Sequence, residues 1–172
     1  MAHRITQRRE TQLVAEYLAE RVFPNWYVQG QPLGPALEGL TEAHGVEKAL
    51  RISRPWRPEV DAVTVEDGRL VLIEGKIFKW RDGMGQLPLY KAAVPSTPEL
   101  AEHRGKLVVL RLLMPWTSPM VELLAQATGV EVVVFAPAWV EEYTRSYHQY
   151  WTPEYRERRD RVLEMRRQLG VE

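Results

Sequence analysis

Val60-Asp61-Ala62-Val63-Thr64-Val65 and Leu70-Val71-Leu72-Ile73-Glu74-Gly75-Lys76 flank the segment Glu66-Asp67-Gly68-Arg69. Asp-Gly between two β-rich runs predicts a two-residue hairpin with a type I′ turn. The turn fixes the register. Glu66 faces Arg69, Val63 faces Leu72, Asp61 faces Glu74 and Glu59 faces Lys76. Residues two apart on a strand share a face, and cross-strand partners project to the same side. Asp61, Glu74 and Lys76 are therefore predicted on one surface, with Glu59 at its edge. Asp61 and Glu74 fall at a non-hydrogen-bonded pair, where side chains approach within roughly 5 Å.

Two carboxylates placed opposite one another repel and cost stability. Glu74 and Lys76 also interrupt a run, Val71 to Phe78, that otherwise reads as a strand buried on both faces. Charges there are expensive unless paired or bound to metal. A hard cation answers both problems, because Mg²⁺ prefers carboxylate oxygens and keeps waters for substrate work. Gly75 between the two charges permits close backbone approach. A lysine beside such a cation can orient a water or steady charge on a phosphate. The chemistry indicated is metal-assisted phosphodiester hydrolysis.

Outward from the hairpin, a first helix is predicted from Thr6, as N-cap, to about Val22, stopped by Pro24. Trp26 to Leu33 reads as a strand ended by Gly34-Pro35. Ala36 to Leu50 reads as helical with Gly45 a candidate break, and Arg51 to Arg57 as irregular. A short helix is predicted near Gln86 to Val94 with Pro88 in its first turn. Lys106 to Leu113 and Val130 to Phe135 read as strands around a helix at Thr117 to Ala127. Two further helices are expected, one near Ala138 to Tyr150 and one after Thr152-Pro153. The whole is an α/β layout around a mixed sheet, expected as a single domain over 1–172 with a C-terminal helical extension from about 137.

In this order and with these motifs, the sequence resembles the PD-(D/E)XK nuclease superfamily. That group has a restriction-endonuclease-like core of a helix, three strands, a helix and a strand. The resemblance rests on Pro58-Glu59-Val60-Asp61 followed by Glu74-Gly75-Lys76, and spans roughly Thr6 to Leu113. It includes Gln86 and Tyr90, which look like the Gln-x-x-x-Tyr element of RecB-type members. It implies that Asp61 and Glu74 hold Mg²⁺ or Mn²⁺, with the Gly75 carbonyl as a third ligand, and that Lys76 positions or activates water. The sequence departs from the family where Pro-Asp becomes Pro-Glu and where Pro88 enters the Gln-to-Tyr segment.

Many members carry a further acid on the first helix. Leu13, Val14, Tyr17, Leu18 and Val22 define its apolar stripe, and Glu10 falls at the stripe's centre. Glu10 is thus the expected assisting acid and metal neighbour, against the plain reading of a first-turn glutamate favoured by the helix dipole. Lys79, Arg81 and Lys91 lie just past the site and are candidate phosphate contacts. Trp56 and Trp80 flank the hairpin as candidate base-stacking residues.

Composition removes other classes. The chain of 172 residues has no cysteine, and Lys+Arg 23 balances Asp+Glu 23. Disulfide frameworks and thiol nucleophiles are excluded, and four dispersed histidines without HExxH give no zinc hydrolase motif. Zero net charge argues against a general polyanion coat but allows a local basic cleft. The polar Met1 to Gln12 segment, with no long apolar run after it, leads to the expectation of a cytoplasmic protein without membrane contact. The expected partner is DNA, although nothing separates DNA from RNA. A second copy of the chain is a further expected partner. The C-terminal helix has apolar Tyr155, Val162 and Leu169 seven apart, with Glu154–Arg158 and Glu157–Arg161 as i, i+4 pairs, and should pack on the body or on that copy. The competing functional class is a catalytically inactive nuclease-fold module that binds nucleic acid or protein within a larger assembly.

Overall fold

The computed structural model describes residues 2–23, 25–149 and 153–170. The backbone forms two compact units, Met1–Phe135 and Ala136–Glu172. The first contains helix α1 (Ala2–Tyr17), strand β1 (Tyr27–Pro32), helices α2 (Leu40–His44) and α3 (Val46–Ser53), and strands β2 (Glu59–Glu66) and β3 (Arg69–Gly75). Helix α4 (Trp80–Ala93), strand β4 (Val108–Met114), helix α5 (Pro119–Thr128) and strand β5 (Val130–Val134) follow. The five strands form one mixed sheet in sequence order, antiparallel from β1 to β3 and parallel from β3 to β5. Helix, three strands, helix, strand is the core order expected from the sequence.

The hairpin forms with the predicted register, running from Glu66↔Arg69 to Ala62↔Ile73. Asp67 and Gly68 both take positive φ, 48° and 74°, as a type I′ turn requires. Strand β3 is buried from Leu70 to Gly75. Leu70 and Leu72 join Met84, Leu87 and Tyr90 of α4 in the main core, while α1 packs against β3 through its Leu13, Val14 and Tyr17 stripe. Burying each of these large side chains contributes roughly 1.5–3 kcal/mol. Both faces of β3 are thus covered, which is the setting that makes a charge on it expensive.

Several boundaries differ from the sequence reading, among them the second helical stretch, which begins at Leu40 rather than Ala36. Helix α1 begins at Ala2, so Thr6 lies inside it rather than capping it, and it ends in a π turn at Leu18–Val22 closed by Phe23 N–H to Leu18 O (2.8 Å). Arg51 to Arg57 is not irregular throughout, because α3 continues to Ser53 and a 3₁₀ turn covers Arg54–Trp56. Helix α4 starts six residues before Gln86, at Trp80, with Gly83, Gly85 and Pro88 inside it. Weak helix formers hid those first turns, and packing of Met84 and Leu87 overrides the propensity.

The second unit contains α6 (Ala138–Gln149) and α7 (Pro153–Gln168). The predicted cap at Thr152 and helix end at Tyr150 lie outside the described residues. Helix α7 has no buried residue, and Val162, Met165 and Leu169 are exposed. Its expected Glu157–Arg161 pairing is replaced by Arg161 Nε donating to the Glu157 carbonyl at 3.4 Å. Among the described residues, no helix is long and apolar enough to cross a membrane.

Candidate active site

Asp61, Glu74 and Lys76 come together at the open end of the hairpin. Beyond Ala62↔Ile73 the β2–β3 ladder stops, and the Gly75 N–H donates to Asp61 Oδ2 at 2.8 Å. The ladder to β3 ends at Ala62↔Ile73 while β2 runs on beside β1, with Val60 opposite Gln31. In a strand the N–H and C=O of one residue point to the same side, so the Gly75 carbonyl also faces β2. Lys76 points its own N–H the other way, to Leu113 O of β4 at 2.9 Å.

Glu74 is 3% exposed, and its Oε1 accepts a 2.6 Å hydrogen bond from Lys76 Nζ. Its Oε2 is buried with no hydrogen-bond partner. Burial first, and then the Asp61 charge, push the Glu74 carboxyl up to about 7, against the pull of Lys76 and the Asp61 amide. Asp61 is also held above the usual carboxylate range by burial, partly offset by the Gly75 amide and Lys76. For Lys76, burial acts to lower the pKa, but the Glu74 carboxylate, with Asp61 and Glu10, more than compensates and leaves it raised. Lys76 therefore stays an ammonium at neutral pH. Two acids and one cation leave the cluster short of positive charge.

Glu10 reaches the same place from α1. Its Oε1 accepts the Ile77 N–H at 3.1 Å, and its charge acts on Lys76. Because α1 begins at Ala2, Glu10 sits in the third turn, and the first-turn dipole reading no longer applies. Gly75 is what allows α1 so near. A Cβ there would collide with Val14 Cγ2 and stand 3.4 Å from the Glu10 carbonyl oxygen.

Glu59 is turned away. It pairs with Arg54 Nη2 at 2.8 Å, and that guanidinium also donates to Gly30 O at 3.0 Å. The expected position of Glu59 opposite Lys76 is not a contact, since Lys76 is taken by Glu74. Asp61 is the acid beside the Glu-x-Lys pair.

Gln86 lies within α4 rather than before it, four residues ahead of Tyr90 and on the same helix face. The Tyr90 hydroxyl donates to the Glu59 carbonyl at 3.1 Å, tying α4 to the start of β2. Burial, and then the Glu74, Asp61 and Glu59 charges, raise the Tyr90 pKa, which keeps it a donor. Gln86 Oε1 is buried without a partner. Lys79 at the α4 N-cap and Arg81 in its first turn are exposed, and Arg81 lies 4.6 Å over the Trp80 ring.

The same residues leave an oxygen-donor site of two buried carboxylates and one backbone carbonyl. Among the described residues, no three His, Cys, Asp or Glu side chains come close enough to hold a metal ion together. The donor set nonetheless suits a hard divalent cation that keeps part of its water shell, and the unpartnered Glu74 oxygen is the kind of atom such a cation satisfies. A surface groove of about 650 Å³ between Leu33–Glu38 and Trp56–Pro58 contains none of these residues and places Trp56 outside the cluster.

No family model matches the chain, and no curated protein is similar to it in sequence. Among solved structures it is similar to a repair endonuclease from Pyrococcus abyssi, with 20% identity and a TM-score of 0.44. That match covers 74% of this chain and 47% of the other, so the chain spans about half the length of the solved structure it matches. Fold-level likeness does not fix chemistry, which lives in the residues of the site.

One contributor escaped the sequence reading. A Cβ on Gly83 of α4 would stand 2.7 Å from Leu112 Cδ1 and 3.1 Å from Lys76 Cγ. Its spacing to Gln86 and Tyr90, three and then four residues, puts all three on one helix face and was the available signal.

Proposed function

We propose that this chain is a metal-dependent nuclease that hydrolyses phosphodiester bonds of DNA. The observation that supports it most strongly is the buried, unpartnered Glu74 Oε2 beside a second carboxylate, in a cluster with a deficit of positive charge. Such an arrangement is costly for structure alone and is relieved by a cation. Asp61 and Glu74 would hold Mg²⁺ or Mn²⁺, with the Gly75 carbonyl as a supporting oxygen, Glu10 assisting through water, and water completing the shell. The cation, when bound, supplies Lewis-acid charge for the phosphate oxygens. Lys76, held as an ammonium, acts by orienting water and steadying developing phosphate charge, not as a base. Gln86, with its buried Oε1 unpartnered, would serve as a substrate or water contact, and Tyr90 positions the start of β2. Lys79 and Arg81 supply phosphate contacts at the entrance.

Cleavage of single-stranded, duplex and branched DNA and of RNA, with Mg²⁺ or Mn²⁺, tests this reading. Lys76→Ala should lower the rate by about 10²–10³, and Asp61→Asn should abolish Mn²⁺ binding in calorimetry. A wild type that neither cuts any of these polymers nor binds Mn²⁺ overturns the catalytic reading and leaves a binding module.

A further inference from the structure

The loops leaving β3 and β4 carry aromatic rings that the catalytic chemistry does not use. Because Lys76 N–H is bonded to Leu113 O, the two parallel strands end side by side, and their chains leave the sheet together. Two residues past Lys76 and two past Met114, Phe78 and Trp116 meet with ring centroids 6.0 Å apart and planes at 55°. Trp116 is 41% exposed at this junction. A tryptophan left that open costs hydration free energy, and its only aromatic neighbour among the described residues is a ring two residues from the site lysine.

Past Lys76, which is bonded to Glu74, the exposed cations Lys79 and Arg81 alternate with Phe78 and Trp80 before the next acid, Asp82. Arg81 is laid over Trp80, whose other side packs into the core, so this guanidinium is held at the surface in a defined place. Aromatic faces interleaved with cations beside a phosphodiester-cleaving centre are what an unstacked polynucleotide strand recognises: bases on rings, phosphates on cations. A closed duplex keeps its bases stacked inside and offers the rings nothing.

Resting on the nuclease reading above, we propose that Phe78 and Trp116 form a stacking platform for an unpaired base, which directs the site to single-stranded polynucleotides. The platform is a specificity-determining element and takes no part in bond cleavage.

Binding of fluorescent single-stranded and duplex oligonucleotides, with chelator present so that nothing is cut, isolates this step. Wild type should prefer the single strand, and Trp116→Ala should weaken single-strand binding by about tenfold or more. Trp116→Phe should restore most of it, which a merely structural role would not predict. Leu107→Ala, at a residue 65% exposed at the opposite end of β4, is the control and should leave binding as it was. An unchanged single-strand to duplex ratio in Trp116→Ala overturns the platform while leaving the nuclease reading intact. Single-strand binding without metal-dependent cutting supports the platform and overturns catalysis. Capture of a protein partner through Trp116, with no polynucleotide bound, overturns both.

Discussion

The Asp61 carboxylate accepts the Gly75 amide at 2.8 Å, and this one bond stands where a ladder bond between β2 and β3 would otherwise be. It fixes the acid at the open end of the hairpin through Oδ2 and leaves the second oxygen for other work. The acid is therefore placed by backbone rather than by another side chain. Its position is coupled to Gly75, which lies between Glu74 and Lys76. The three site residues are thus held by one local arrangement, set by the Asp67-Gly68 turn that begins six residues after Asp61.

Asn at position 61 can still accept the Gly75 N–H, whereas Ala cannot. Asp61→Asn should fold with stability at or above wild type, because it also removes repulsion toward Glu74. Asp61→Ala should be about 1–3 kcal/mol less stable, the cost of a buried donor left unmade. Both should lose Mn²⁺ binding. Chemical denaturation beside calorimetry separates the two effects, and equal stability of the Asn and Ala variants would contradict the role given to this bond.

Gly75 is required by space, not by backbone conformation. Gly75→Ala should destabilise by about 1–3 kcal/mol through overpacking against Val14. Shortening the neighbour relieves the clash, so Gly75→Ala with Val14→Ala should be more stable than the sum of the single changes, by at least about 0.5 kcal/mol. A double-mutant cycle by urea denaturation measures this directly, and strict additivity would place the strain elsewhere.

The hairpin and the charge cluster were legible because both depend on local rules. Asp67-Gly68 sets the turn, the turn sets the register, and the register puts Asp61 beside Glu74. Glu10 was legible from helical spacing, since Leu13, Val14 and Tyr17 bury the face it shares. What escaped depended on packing between distant segments. Helix α4 begins at Trp80 although Gly83, Gly85 and Pro88 all disfavour a helix, because the core takes up Met84 and Leu87 and because Gly83 is needed against Leu112. The pairing of Glu59 with Arg54, which removes that acid from the site, and the meeting of Phe78 with Trp116 both depend on which strands lie side by side.

Glu74 gives stability a distinct pH dependence. Burial and the Asp61 charge raise its folded pKa from the ordinary 4.5 to about 7, so the folded chain holds a proton that the unfolded chain has released. The relative stability is greatest below 4.5, declines as pH rises toward 7, and is level above that. The full loss is about 3 kcal/mol, at 1.36 kcal/mol for each unit. Glu74→Gln carries no such proton and should gain on wild type by about that amount between pH 4.5 and 7.5 in metal-free buffer. A parallel pH profile for the two proteins would remove Glu74 from this role.

The same protons should compete with the proposed cation. Glu74 titrating near 7, with Asp61 also raised, means that part of the carboxylate pair must deprotonate before a divalent ion is held. Between pH 6 and 8 the ionised fraction of a group with pKa 7 rises about tenfold, so Mn²⁺ should bind about ten times more tightly at pH 8. Binding at pH 6 should release close to one proton, visible as a dependence of the calorimetric heat on the ionisation enthalpy of the buffer. Mn²⁺ should correspondingly raise the thermal midpoint more at pH 8 than at pH 6, and chelator should reverse the gain. Lys76→Met, which removes the cation that opposes the two acids, should make the metal-free protein less stable at pH 8 and enlarge the stabilisation by Mn²⁺. A Mn²⁺ affinity indifferent to pH, or one unchanged by Glu74→Gln, would show that the ion is held somewhere other than on this pair.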